Sequence, residues 1–137
     1  MFSPAELEYL RGQPLARLAT LNAGERPDVV PVAFEVDETG FWVGGGPTVV
    51  STRKIRNVVA GRRRVALVVD DLVSLRPFIA RGVRVYGSSG EPEERVGLVG
   101  PGTYVRITAE ISWSWNLDGQ PAAEEWYSMT RTAHSGC

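Results

Sequence analysis

Cysteine, histidine and lysine each occur once in this chain of 137 residues. The lone Cys137 can close no disulfide within the chain, so no covalent staple is available, and a reducing, cytoplasmic setting is the expectation. The lone His134 falls in the tail, which leaves no Ser-His-Asp arrangement on the rigid body of the protein. With Cys137 it would supply two of the four ligands a structural zinc ion needs. No metal ligands and no catalytic side chain are therefore predicted. The glycine run "VGGGP" (43–47) is not GxGxxG and does not open directly into a helix, so it fails as a dinucleotide fingerprint. No apolar run approaches the roughly 20 residues of a membrane helix. The opening "MFSPAELEYLRG" lacks the basic-then-apolar order of a signal peptide. Acids and bases nearly cancel, at a formal charge of −1, so no global field draws the chain to nucleic acid or membrane, and neither is expected as a partner.

What is present describes one globular domain spanning 1–137, with 43% hydrophobic and 23% charged residues. A short helix is expected at the start. Ser3 is the N-cap, Pro4 the first helical residue, Glu6 the partner in a capping box, Leu7 and Leu10 the core face, and Gly12 the stop. Short β-rich segments follow at 16–21, 29–36 and 41–46, separated by turn residues, and then "RVALVVDD", 82–91 and a long strand at 103–117. Pro31 inside the second segment predicts an edge, a bulge or a non-ladder face there. In the long strand, Val105, Ile107, Ala109, Ile111, Trp113 and Trp115 alternate onto one face. Asp70 and Asp71 are adjacent, and adjacent carboxylates cap turns more often than they share a proton. The tail from residue 118 is either mobile or laid over a neighbouring surface. Six strands with few helices imply a mainly β protein, a small antiparallel barrel closed or half closed.

One segment breaks the strand pattern. "STRKIRNVVAGRRR" (51–64) holds Arg53, Lys54, Arg56, Arg62, Arg63 and Arg64, and Ile55, Val58 and Val59 recur at helical spacing. At a helix start, free N–H groups and the helix dipole favour an anion. Ser51 and Thr52 add hydroxyls there, and Arg53 and Lys54 add full charges on the same turn, a pattern that suits a phosphate or carboxylate. Arg62 to Arg64 lie about two turns on, too far to share that anion, and are expected on a solvated face or against a partner. The alternative, that all six are ordinary surface charges, stays open on the local pattern alone.

The stretches "STRKIRNVVAGRRRVALVVDDL", "RPFIARGVRVYGSSGE" and "YVRITAEISWSWNLDG" together resemble the pyridoxamine 5'-phosphate oxidase-like split β-barrel superfamily. Within it they are most similar to its flavin/deazaflavin-dependent oxidoreductases, from about Leu15 to about Leu117. The resemblance implies a six-stranded split barrel like that of FMN-binding proteins. It also implies a homodimer whose cofactor groove lies at the interface, and a small-molecule substrate. The cofactor phosphate would be held by Ser51, Thr52, Arg53, Lys54 and Asn57. Val30, Pro31, Val32, Gly44 and Gly45 would pass beside the tricyclic ring, and Phe78 and Arg81 would reach the neighbouring subunit's site. Coenzyme F420 is the favoured cofactor, because its oligoglutamate tail suits the additional arginines, with FMN as the alternative. The expected activity is hydride transfer between the deazaflavin and a small conjugated or heteroaromatic acceptor, with a non-catalytic cofactor carrier as the alternative. Such a cofactor brings the hydride chemistry itself, which agrees with the absence of a catalytic triad or metal set.

Overall fold

The computed structural model describes residues 1–22, 24–44 and 63–134. In chain order these form α1 (Pro4–Arg11), β1 (Ala16–Leu21), β2 (Pro27–Val32), β3 (Phe34–Asp37), β4 (Gly40–Gly44), β5 (Arg64–Ser74), β6 (Ile79–Ser89), β7 (Glu93–Gly97), β8 (Gly100–Trp115) and β9 (Met129–Ala133). All strands join one antiparallel sheet in the order β2-β1-β5-β6-β8-β4-β3, with β7 and β9 also paired to β8. The two ends of that path, β2 and β3, are separated in sequence by Ala33 alone. A sheet whose outermost strands are chain neighbours must curl back on itself, and the result is the half-closed barrel.

The inside of the curl is the core. Val83 and Val85 of β6, Leu67 and Val69 of β5, Val105, Ile107 and Ala109 of β8, and Phe41 and Val43 of β4 are all at most 2% exposed. Helix α1 plugs one end with Leu7 and Leu10. Phe2 and Phe34 both meet Phe41 edge-on, at 5.6 and 5.7 Å. Its start is built as the sequence predicts: the Ser3 hydroxyl accepts from Glu6 N at 3.1 Å, and Ser3 N donates to Glu6 Oε1 at 2.8 Å. Truncating Leu10, fully buried at this plug, would cost about 2–5 kcal/mol. On the outer side of β3, β4 and β8, Arg95 lies 4.3 Å and Arg106 5.6 Å from the Trp42 ring centre. Their partners are Glu35 and Asp37, and hydrogen bonds from Arg106 hold the Asp37 carboxyl down at about 2.

The mainly β split barrel stands, but the described residues hold nine strands where six were expected. The single segment at 29–36 is broken at Ala33 into β2 and β3, because the chain must pass there from one end of the sheet to the other. Pro31 lies on β2, which among the described residues is an end strand paired with β1, so its missing N–H costs no ladder bond on the open side. The acidic stretch after Gly90 folds back as β7 and turns through Gly100, whose φ of +92° favours glycine. Part of the tail forms β9, paired with Ile111–Trp115.

The largest difference lies in β8. Its register with β6 runs Tyr86↔Ile111 and then Gly87↔Ala109, leaving Glu110 as an extra, bulged residue. A bulge of one residue transfers every later side chain to the other face. Ser112 and Ser114 are therefore buried, and Ile111, Trp113 and Trp115 leave the face they were expected to share with Val105, Ile107 and Ala109. The helix expected from residue 51 lies outside the described residues.

Candidate functional site

Because of the Glu110 bulge, the outer face of the sheet is aromatic. Strand register places Pro31, Arg17, Val68, Arg84, Trp113 and Arg131 in one row across six strands. Beside it runs a second row of Val29, Ala19, Ala66, Tyr86, Ile111 and Ala133. Small residues in the middle of the second row leave a depression of about 400 Å³, walled by Leu21, Pro27, Tyr86 and Ile111 with Arg64 at its rim. Tyr86 meets Trp113 edge-on at 4.9 Å, and the Arg84 guanidinium sits 4.2 Å from the Trp113 ring centre and 5.6 Å from that of Tyr86. Arg84 Nε is buried without a hydrogen-bond partner, and among the described residues the side chain has no carboxylate partner. Among the described residues its charge is answered by π faces alone, which places a cation without a carboxylate beside a largely apolar surface.

The sequence-predicted residues divide between two places. Pro31 points out onto this face, whereas Val32 is 6% exposed and Val30 packs against the core, so these two offer a neighbour only their backbone. Gly44 ends β4 with φ +116°, one step beyond the Phe34↔Val43 pair and so close to Ala33 and Val32. Gly45, Ser51, Thr52, Arg53, Lys54 and Asn57 lie outside the described residues, as does Arg62. Arg63 pairs with Glu91, and Arg64 faces outward at the rim of the depression. Phe78 and Arg81 belong to the far end of the β5–β6 hairpin. Arg81 is three strands across and four residues along from Val30, on the order of 15–20 Å away over the sheet. One chain does not bring all of these residues to one spot.

At the hairpin end, Arg81 is already engaged. Its Nε and Nη2 donate to the two carboxylate oxygens of Asp71 at 2.9 and 3.2 Å, and its guanidinium lies 5.0 Å from the Tyr9 ring centre. The Tyr9 hydroxyl donates to Asp71 Oδ1 at 2.7 Å. Burial pushes the Asp71 carboxyl up, but hydrogen bonds from Arg81 and Tyr9 outweigh it and leave the carboxyl below its usual range. Burial, with the bond to Asp71, raises the Tyr9 phenol far above its ordinary value. Asp70 pairs instead with Arg17, so the two adjacent aspartates share no proton. Phe78 packs against Trp126 at 5.9 Å, and its carbonyl accepts from Ala122 N at 2.8 Å. Sequence reasoning missed Tyr9 here and read Asp71 with Asp70 as turn-capping carboxylates, whereas both lie within β5 in ion pairs; it also missed Arg84, Tyr86 and Trp113 on the outer face.

His134 is not on a loose tail. Its N–H donates to Glu110 O at 2.8 Å, its Nε2 is 2.8 Å from the fully buried Ser112 Oγ, and Phe2 meets its ring at 4.7 Å. Burial first, and the amino terminus second, lower its pKa, with Glu6 opposing them. Ser112 is sealed in the core, so this pair fastens β9 to the barrel and presents no accessible nucleophile.

The family model described as pyridoxamine 5'-phosphate oxidase matches residues 2–111. The chain belongs to that family. A curated relative from Streptomyces rimosus subsp. rimosus, a 5a,11a-dehydrotetracycline/5a,11a-dehydrooxytetracycline reductase, is 43% identical over 124 residues, covering 86% of this chain and 85% of its own. Two solved structures share the fold. A conserved hypothetical protein from Mycobacterium tuberculosis has a TM-score of 0.67 at 20% identity, covering 91% of this chain and 92% of its own. An F420 reductase has a TM-score of 0.58 at 19% identity, covering 78% and 94%. This member of the family is thus a split-barrel protein akin to an oxidoreductase.

Proposed function

We propose that the protein is a homodimeric reductase that transfers hydride between coenzyme F420 and a small conjugated or heteroaromatic acceptor. The observation that carries this reading is the 43% identity, across most of both chains, to a reductase whose named substrates are dehydro compounds. The outer face described above fits a bound tricyclic ring. It is wide and mostly apolar, and the row beside its depression carries both Pro31 and Arg84. The basic stretch of Ser51, Thr52, Arg53 and Lys54 has the chemistry to hold a phosphate, and Arg56 and Asn57 follow in the sequence.

When bound, the deazaflavin supplies the hydride chemistry. The chain's own residues anchor the anionic tail, present a flat apolar bed and exclude water from the ring. The separation of Phe78 and Arg81 from Pro31 within one chain favours a site completed by a second copy. The outer rows, with Tyr86 and Trp113 partly exposed, are the surface assigned to that contact.

Titration of the purified protein with F420 and with FMN, read by fluorescence quenching, tests the reading, and a failure of both to bind would overturn it. Tight binding of FMN alone would move the assignment to the flavin. Bound reduced cofactor that no acceptor in a broad panel oxidises would identify a carrier. Lys54→Ala should weaken cofactor affinity by about 1.5–3 kcal/mol if its ammonium meets the phosphate. Light scattering checks the dimer, and Trp113→Asp should give monomers.

A further inference from the structure

The outer face and the tail carry opposite charges that do not meet within one chain. On the face, Arg84 and Arg131 flank Trp113 in one row and Arg64 stands at the rim of the depression. None of the three has a carboxylate partner among the described residues. Glu110 is the carboxylate at the wall of the depression, and Asp70 is taken by Arg17. The tail is tied beneath the end of the β5–β6 hairpin. Ala122 N donates to Phe78 O at 2.8 Å, Asn116 Nδ2 to Ala80 O at 2.8 Å, and the Tyr127 hydroxyl to Gln120 O at 2.9 Å. Between these tethers Glu124, Glu125 and Trp126 are exposed. Neither glutamate pairs with a cation among the described residues, Arg76 of the hairpin turn included. Trp126 keeps 58% of its surface open although its ring lies 5.9 Å from Phe78 and 5.2 Å from Tyr127.

We propose that the tail segment Glu124 to Trp126 of a second copy docks on the outer face, its carboxylates meeting Arg84 and Arg131 and its indole covering the apolar depression. The inference rests on the homodimer reading above and names what the second copy brings to the site. Charge decides the pairing: an acidic pair without cations faces a row of arginines without carboxylates. Shape agrees, since an exposed indole beside those carboxylates finds an open, mostly apolar hollow beside those arginines. A two-fold axis makes the exchange mutual, because each copy then offers both surfaces. Gly82 lies midway in sequence between Phe78 and Tyr86 along this arm of the hairpin. An axis crossing the sheet there lays each hairpin end, with its tethered tail, over the depression of the other copy. The tethers hold the segment in place beforehand, so docking orders little new chain.

The test exchanges the charges between copies. Sedimentation over a range of concentrations gives the dimer constant, and native mass spectrometry weighs the species in mixtures. R84E/R131E and E124R/E125R should each weaken self-association about a hundredfold, because like charges then face one another at both contacts of the dimer. An equimolar mixture of the two should recover a dimer with the mass of one chain of each, since one contact is then wild type and the other has its charges exchanged. R131E alone changes an exposed side chain, so it should leave the melting temperature unaltered and weaken the dimer about tenfold. Trp126→Ala, which removes no charge, should weaken it about tenfold as well. A monomeric wild type overturns the homodimer reading and this inference with it. A wild-type dimer that R131E and the two double variants leave intact overturns the inference alone. So does a mixture that recovers no dimer when the melting temperatures of its components are unaltered.

Discussion

Replacing Tyr9 with phenylalanine removes a single oxygen and isolates the link between α1 and the β5–β6 hairpin. The hydroxyl donates to Asp71 at 2.7 Å, and the Arg81 carbonyl, at 3.2 Å, takes at most a minor share of the same proton. A hydrogen bond to a charged group contributes about 1.5–3 kcal/mol. Asp71 and Arg81 keep 27% and 30% of their side-chain surface open, so water will partly replace the lost donor, and the lower end, about 1.5 kcal/mol, is the expected cost. For a chain of this length, with an unfolding entropy of about 2.1 cal/mol/K per residue, that cost lowers the melting temperature by about 5 °C. Chemical denaturation at several pH values tests where the energy comes from. The carboxyl of Asp71 is lowered in the folded state, so its stabilisation is present above the ordinary carboxylate pKa of about 3.9 and is lost as pH falls through the lower folded value. The difference between the wild type and Tyr9→Phe should therefore shrink in acid. A change below about 1 °C at neutral pH, or a difference as large in acid as at neutrality, would refute the reasoning.

The same phenol makes an opposite forecast in base. Its pKa is raised by burial, so the stability it contributes is complete below about pH 10 and falls as the pH climbs beyond, and Tyr9→Phe should flatten that alkaline loss in urea titrations. Changing His134→Ala strands the buried Ser112 hydroxyl and should cost about 1–3 kcal/mol, read as faster hydrogen exchange of the β9 amides. Because burial lowers the His134 pKa, the wild-type strand should itself loosen as pH falls below the ordinary histidine value near 6.5. Gly82→Ala sets a methyl 2.6 Å from Trp115 Cζ2 and 2.9 Å from the Val69 carbonyl, which cannot yield cheaply, so about 1–3 kcal/mol should be lost with a shift in tryptophan emission.

Local signals were legible wherever one residue type has one physical use. Ser3, Pro4, Glu6 and Gly12 announce α1 because caps are satisfied within a single turn. Val105, Ile107 and Ala109 announce the inner face of β8 because alternation is the strand's own period. The pattern then misleads, since Ile111, Trp113 and Trp115 continue the same alternation past Glu110. Only the pairing with Tyr86 and Gly87 reveals that the strand has gained a residue. The polar "MTRTA" of β9 has no strand signature, because its order is supplied by β8 and by the clasp at His134. The contact of Tyr9 with Asp71 joins positions 62 residues apart, and no local pattern encodes a meeting of that kind. Of the candidate site, the chemistry of Pro31 narrowed its place to a few settings, of which the end strand is the one found. The aromatic character of the face around it could not.

The bulge at Glu110 also bears on how this chain can change over time. Deleting that one codon would shorten the chain by a single residue, and it would also exchange the two sides of everything downstream in β8. Ser112 and Ser114 would be turned out to the surface, while Ile111, Trp113 and Trp115 would be driven into a space sized for serines. The clasp to His134 would lose its hydroxyl and the outer rows their aromatic members in the same event. Substitutions at Glu110, by contrast, leave the residue count intact. Insertions and deletions should therefore be excluded from this stretch far more strictly than replacements, so its length is under tighter constraint than its lettering.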